Sequence, residues 1–286
     1  LDLLAGLGLD RGRLGWETDT HGLTMANGAR VAARLEGRAA LVEASDLVSR
    51  LRLVKSPAET ACIRRAAAQT DAAWEAMLPL VRPGAWEGDL IAALTAEILR
   101  DDGDLPGNPP IIGSGEHALL CRYFAGRRRL DAEDQLTVEW SGSFRHHHAA
   151  AMRTVAVGRA RPEHHRLHAA AREALLACED ALRPGRTMGE VFAAHVRVLE
   201  AHGLGHARLN ACGYAMGARF APSWMEREMF YEGAETVMAE DMVFFLHMIL
   251  PDDRTGTAMT LGRSSRVTAE GPEVLSRLLL DLDVCA

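Results

Sequence analysis

Lysine is almost missing from this chain: Lys55 is the single one among 32 basic residues. There is also no excess of positive charge, no run of about 18 apolar residues, and no pair of cysteines in CxxC spacing. Each absence excludes something. A formal net charge of −7 argues against a partner held by bulk phosphate attraction, so no nucleic acid is expected. Without a long apolar run there is no membrane-spanning helix. Cys62, Cys121, Cys178, Cys212 and Cys285 are scattered, which excludes a zinc ribbon or disulfide scaffold, fits a reducing compartment, and gives cytoplasmic as the expected location. The scarcity of lysine reads as the mark of a GC-rich genome.

What is present is an ordinary globular balance, 48% hydrophobic and 25% charged over 286 residues. That length suits one large domain or two smaller ones, with a core that needs no staples. Twelve histidines, three of them consecutive, first suggest a metal enzyme. The chain opens on Leu1, and the apolar run Leu1 to Leu9 is a poor signal peptide, so the expectation is a start inside a longer chain.

Residues 1–54 read as a small α/β piece: a helix over His21 to Leu35 with Thr20 as N-cap, a strand over 38–44 and a short helix over 46–52. Stronger signals begin at Ser56-Pro57-Ala58-Glu59, a capping box with proline at the first helical position. They predict a helix from Pro57 to about Leu80, ended by Arg82-Pro83-Gly84, and a second helix to about Asp101. The triplet recurs as Arg183-Pro184-Gly185, 101 positions on (82 to 183), after another Ala-rich helix over 162–182, and Thr187-Met-Gly-Glu190 follows as a second capping box. Predicted strands at 110–112, 119–123, 136–140 and 152–157 have counterparts at 207–212, 242–249 and 258–267. Two α-α-β units of similar length imply an internal pseudo-two-fold in an α+β fold, with a cleft between the halves.

Three segments are candidates for chemistry. The first is Glu139-Trp-Ser-Gly-Ser-Phe-Arg145-His146-His147-His148, leading to Arg153-Thr154. On a strand, His146 and His148 would share a face with Glu139 nearby, as an acid/base or ligand cluster; the plainer alternative is a solvated polar hairpin. The second is Gly213-Tyr214-Ala-Met-Gly217 followed by Pro222-Ser-Trp224-Met-Glu226, where paired glycines suit a backbone that approaches a ligand; on composition a surface turn with an exposed glutamate is favoured. The third is His247 within the apolar run Val243 to Leu250, a place where a histidine is more often a satisfied core residue. His164, His165, His168, His195, His202 and His206 fall on or beside outer-layer helices and are expected to be incidental.

Taken in order, these segments resemble the creatinase/prolidase/aminopeptidase P superfamily, whose architecture is the pita-bread fold. The marks are Leu53-Val-Lys-Ser-Pro-Ala-Glu59, Arg153-Thr154-Val-Ala-Val-Gly158, Glu240-Asp-Met-Val-Phe244 and Val267-Thr-Ala-Glu-Gly-Pro-Glu-Val-Leu275, and they cover almost all of 45–286. The resemblance implies the tail of a creatinase-type N-terminal domain over 1–54. It implies a pita-bread catalytic domain over 55–286, with halves at about 57–158 and 162–270. The metallopeptidases of this superfamily bind two ions through five side chains. Counted onto this chain, those positions carry Glu139, Ala150, Tyr214, His247 and a residue near Gly262, of which only Glu139 keeps a carboxylate.

The local pattern is closest to the metal-independent branch, ectoine hydrolase and creatinase. That branch implies cleavage of C–N bonds in a small charged nitrogen compound, with no cofactor and in a homodimer. His148 is then the general acid/base, oriented by Glu139. Tyr214 and His247 donate to an oxyanion. Glu226, Arg122, His146 and Arg153 hold the substrate, Arg122 through a substrate carboxylate. His147, Ala151 and Met225 depart from the branch's pattern. Two alternatives remain: a metallopeptidase with a rebuilt cage of Glu139, His146, His148, Glu226 and His247, and a non-catalytic binding module.

Overall fold

The computed structural model describes residues 1–100, 102–120 and 127–286. The chain divides into two compact units, Leu1–Leu53 and Val54–Ala286. The first holds α1 (Asp2–Gly6), β1 (Gly12–Trp16), α2 (Met25–Leu35), β2 (Ala39–Glu43) and α3 (Ser45–Leu53), with β1 and β2 parallel. The cap of α2 is Thr24, whose hydroxyl accepts from Asn27 N–H, so the helix begins later than the expected Thr20.

The second unit is a sheet with helices packed on one side. Its elements are α4 (Pro57–Met77), α5 (Glu87–Ile98), β3 (Ile111–Ser114), β4 (Asp134–Phe144), β5 (His147–Val157), α6 (Pro162–Ala181), α7 (Met188–Ala201), β6 (Ala211–Met216), β7 (Met225–Tyr231), β8 (Val243–Asp252), β9 (Thr257–Val267), β10 (Pro272–Val274) and β11 (Asp283–Cys285). The strand order is β3-β4-β5-β9-β8-β6-β7, with β10 on β9 and β11 on β5. The hairpins β4–β5 and β8–β9 meet along β5 and β9, while α4 lies on β4 and β5 and α6 on β8 and β9. That is the relation the repeated triplets predicted.

Both capping boxes form, Ser56 with Glu59 on α4 and Thr187 with Glu190 on α7. Under α4, Trp74 stacks on Trp140 at 4.7 Å, and Trp140 Nε1 donates to Thr70 O at 2.8 Å. Burial of this apolar layer supplies most of the stability. Leu119 and Leu120, expected in a strand, lie in a short 3-10 turn; the rest of that expected strand falls outside the described residues. β7 begins at Met225, directly after Pro222 and Trp224, so Glu226 stands on a strand and not in the expected surface turn. Among the described residues no helix is long and apolar enough to cross a membrane.

Candidate active site

Register decides which side chains meet. Residues opposite one another on antiparallel strands point to the same face. Ile111 faces Glu139, Glu139 faces Met152, Met152 faces Gly262, and Gly262 faces His247. One rung thus carries Glu139 and His247 across five strands. One step along, Tyr214 is opposite Phe245 and Phe245 opposite Ser264, whose hydroxyl accepts from Ala150 N–H at 2.9 Å. Glu139, Ala150, Tyr214, His247 and Gly262 therefore share the face away from the helices.

Tyr214 links this face together. Its hydroxyl donates to Glu139 Oε1 at 3.1 Å and accepts from Trp224 Nε1 at 2.8 Å. Its ring lies 5.6 Å from that of His247. Asn108, Ile111, Glu139, Tyr214, Pro222, Ser223, Trp224 and Met225 line a cavity of about 140 Å³. A larger one, about 780 Å³, opens at the far end of β4. Its charges are largely matched within the wall, Arg128 with Asp131 and Asp134 and Arg159 with Glu133, so the smaller cavity is the better candidate.

His148 does not join Glu139. It sits opposite Ser143, four residues along β5 from Met152, or about 13 Å at the usual strand rise. Its Nε2 accepts from Gly107 N–H at 2.9 Å, and its Nδ1 faces Gly217 O at 3.3 Å, so the neutral ring bridges two backbone segments. Burial pushes its pKa down to about 4. The expected His148–Glu139 pair is thus corrected, because strand distance separates the two.

The three histidines do not occupy one strand. Arg145 and His146 form the tight turn between β4 and β5, with φ of 48° and 60°. That doubly left-handed geometry suits a two-residue hairpin turn. His146 packs on Phe220 at 4.3 Å, and its N–H donates to Asp104. Neither a face with two imidazoles nor a solvated polar hairpin describes this segment, since Glu139 and His148 are buried and only Arg145 at the turn is exposed.

Glu226 is neither exposed nor open to a substrate cation. It is buried on β7 and bonded to Lys55 at 2.9 Å, with both side chains at most 5% exposed. Gly217 makes the room: a Cβ there would fall 2.2 Å from Glu226 Oε1 and 3.2 Å from Lys55 Nζ. The close approach expected of this glycine is to the protein's own ion pair. The sequence signal that could have revealed the pair is the uniqueness of Lys55.

Arg153 points to the other face. Its register partners are Val138 and Leu261, and its Nη1 donates to the carbonyls of Met152 and Gly262 at 2.9 and 2.8 Å. Burial, then the neighbouring Arg263, hold its pKa at about 10. Alternation along β5 makes it a strut between β5 and β9, not a substrate ligand. Arg122 lies outside the described residues. Trp224, quoted in the sequence motif without a role, is the donor that fixes Tyr214.

The residues on the rung do not fit two metal ions. Ala150 and Gly262 offer no donor atom. A Cβ at Gly262 would lie 2.6 Å from Leu246 O and 2.9 Å from the Phe245 ring, so no carboxylate fits there without moving β8. The alternative five-residue cage does not assemble either, since His146, His148 and Glu226 take the separate partners given above.

The sequence model of metallopeptidase family M24 matches residues 61–267. An uncharacterized hydrolase/peptidase of Sinorhizobium fredii is 30% identical over 241 residues, covering 83% of this chain and 61% of its own length. The chain thus spans about three fifths of that relative. The ectoine hydrolase of Halomonas elongata is 25% identical over 286 residues, covering 96% of this chain and 70% of that protein. Among solved structures, the Xaa-Pro dipeptidase from Bacillus anthracis superposes with a TM-score of 0.88 at 23% identity, over 99% of this chain and 77% of that one. That likeness establishes the pita-bread fold.

Proposed function

Since the chain belongs to metallopeptidase family M24, we propose that it hydrolyses a C–N bond in a small charged nitrogen compound without a resident metal. The observation that carries this reading is the rung itself. At the five positions counted from the superfamily's metal ligands, this chain presents one carboxylate, one phenol and one imidazole, with two positions that lack any donor. These are groups for proton transfer and hydrogen bonding. The cavity of about 140 Å³ suits a small molecule better than a polypeptide segment. The ectoine hydrolase relative supports the same class.

The mechanism rests on Glu139 in place of His148. Glu139 takes a proton from a water molecule, and the resulting hydroxide attacks the substrate carbon. Tyr214, polarised by the Trp224 N–H, turns its hydroxyl from Glu139 to the developing oxyanion. The protonated Glu139 then returns its proton to the leaving nitrogen as the C–N bond breaks. His247, beside Tyr214, is a second hydrogen-bond donor on that face. His148 supports the site by tying Gly107 and Gly217 on either side of it. The working form is proposed to be a cytoplasmic homodimer, which sedimentation at micromolar concentration checks.

The test is a hydrolysis screen of ectoine, creatine, N-acyl amino acids and dipeptides, each with and without chelator. Turnover that survives chelation supports the reading. Activity abolished by chelation and restored by Mn²⁺ would overturn it. On the substrate found, Glu139→Gln is expected to lower kcat at least ~100-fold, the scale of general-base losses, with the fold intact by circular dichroism. A loss under threefold would remove Glu139 from the mechanism.

A further inference from the structure

On the helix side of the sheet, behind β6 and β8, three soft donors from three elements come together. Cys178 on α6, His195 on α7 and Cys212 on β6 offer ligand atoms that all lie within 4.8 Å of one another. A register shift on β6 makes this possible. Against β7, Ala211 pairs with Tyr231 but Tyr214 with Met229, so an extra residue lies between them. That bulge sends Cys212 to the helix face while Tyr214 points to the cavity.

We propose that Cys178, His195 and Cys212 form a structural site for a thiophilic divalent ion of the zinc class. Three observations point to it besides proximity. All three residues are at most 1% exposed, so the ion would be shielded from bulk solvent and out of reach of a substrate. His195 Nδ1 lies 3.2 Å from the sulfur of Met248, while its buried Nε2 has no hydrogen-bond partner among the described residues. A buried imidazole nitrogen with unmet demand needs an explanation, and an ion supplies one. Charge selects the class. Two thiolates and one neutral imidazole sum to −2, so a divalent ion leaves the core neutral, whereas a monovalent ion leaves a buried net charge.

Binding is balanced by protons. The two S–H groups lose theirs to solvent as two metal–sulfur bonds form, and the imidazole binds in its neutral form. Tetrahedral Zn–S and Zn–N bonds of about 2.3 and 2.0 Å put ligand atoms roughly 3.5–3.8 Å apart, so from a separation within 4.8 Å a closure of at most about 1.3 Å is required. The ion would cross-link α6 and α7 to the sheet on the face opposite the catalytic rung, so the proposal is independent of the hydrolytic reading.

The probe is Co²⁺, introduced by refolding the reduced protein in its presence, because the site is buried in the folded state. The expected result is one equivalent bound, with thiolate-to-cobalt charge-transfer absorption and visible bands of tetrahedral intensity. Cys178→Ala, Cys212→Ala and His195→Ala should each weaken binding at least tenfold. The triple variant Cys62→Ala/Cys121→Ala/Cys285→Ala should bind like the parent. X-ray absorption at the cobalt edge of the parent protein keeps the proposal testable if a core variant fails to fold: sulfur and nitrogen scatterers are expected. Failure of the reduced parent to take up cobalt, an oxygen-only first shell, or loss of binding in the triple variant would each overturn the site.

Discussion

Replacing Lys55 by methionine is expected to destabilise the fold by roughly 3–5 kcal/mol, the usual result of removing one partner of a buried ion pair. The Lys55–Glu226 contact is 2.9 Å long and both side chains are buried, so the glutamate left behind cannot recover its hydration. A shift in melting temperature on the order of 10 °C follows for a chain of this size. The double variant Lys55→Met/Glu226→Leu should recover much of the loss, because neither charge is then stranded. Thermal unfolding of the parent and the two variants measures this. If Lys55→Met melts like the parent and only the substrate affinity changes, Glu226 serves the substrate and not the fold.

Acidification supplies the second large effect. Burial lowers the pKa of His148 from 6.5 to about 4, and His164 moves the same way. Below pH 6.5 the unfolded chain binds protons at these positions that the folded chain does not. Stability therefore falls as pH drops from about 6.5 towards 4, and these groups contribute no slope above or below that window. A shift of about 2.5 pH units is worth about 3 kcal/mol for His148 once fully developed. Urea unfolding free energies at pH 7 and pH 4.2 test the sum. NMR titration of the imidazoles tests the assignment, since a ring that titrates near 6.5 would remove its share. The groups facing His148 are Gly107, Gly217, Trp224 and the neighbouring His146 and His147, with no carboxylate among these to oppose the shift.

Much of this protein was legible from sequence because it is local. Capping boxes at Ser56 and Thr187, the recurring Arg-Pro-Gly triplets and the β-rich runs are short-range signals, and short-range sterics and hydrogen bonding determine helix starts, turns and strand periodicity. Once the resemblance had marked Ala150 and Gly262 as ligand positions, the lack of a donor there was equally plain, since neither residue carries one. The resemblance to the pita-bread superfamily followed from the order of such signals.

Tertiary structure decided who faces whom. A two-residue turn at Arg145-His146 broke the histidine run into positions with different surroundings. Alternation on β5 sent Arg153 to the helix face, and strand distance kept His148 from Glu139. Lys55 met Glu226 across 171 positions of sequence, and a one-residue bulge on β6 put Cys212 beside Cys178 and His195. Such contacts depend on register, which is a property of paired strands. The lysine that stood out at first for its solitude owes its role to a partner that only the folded sheet brings within reach.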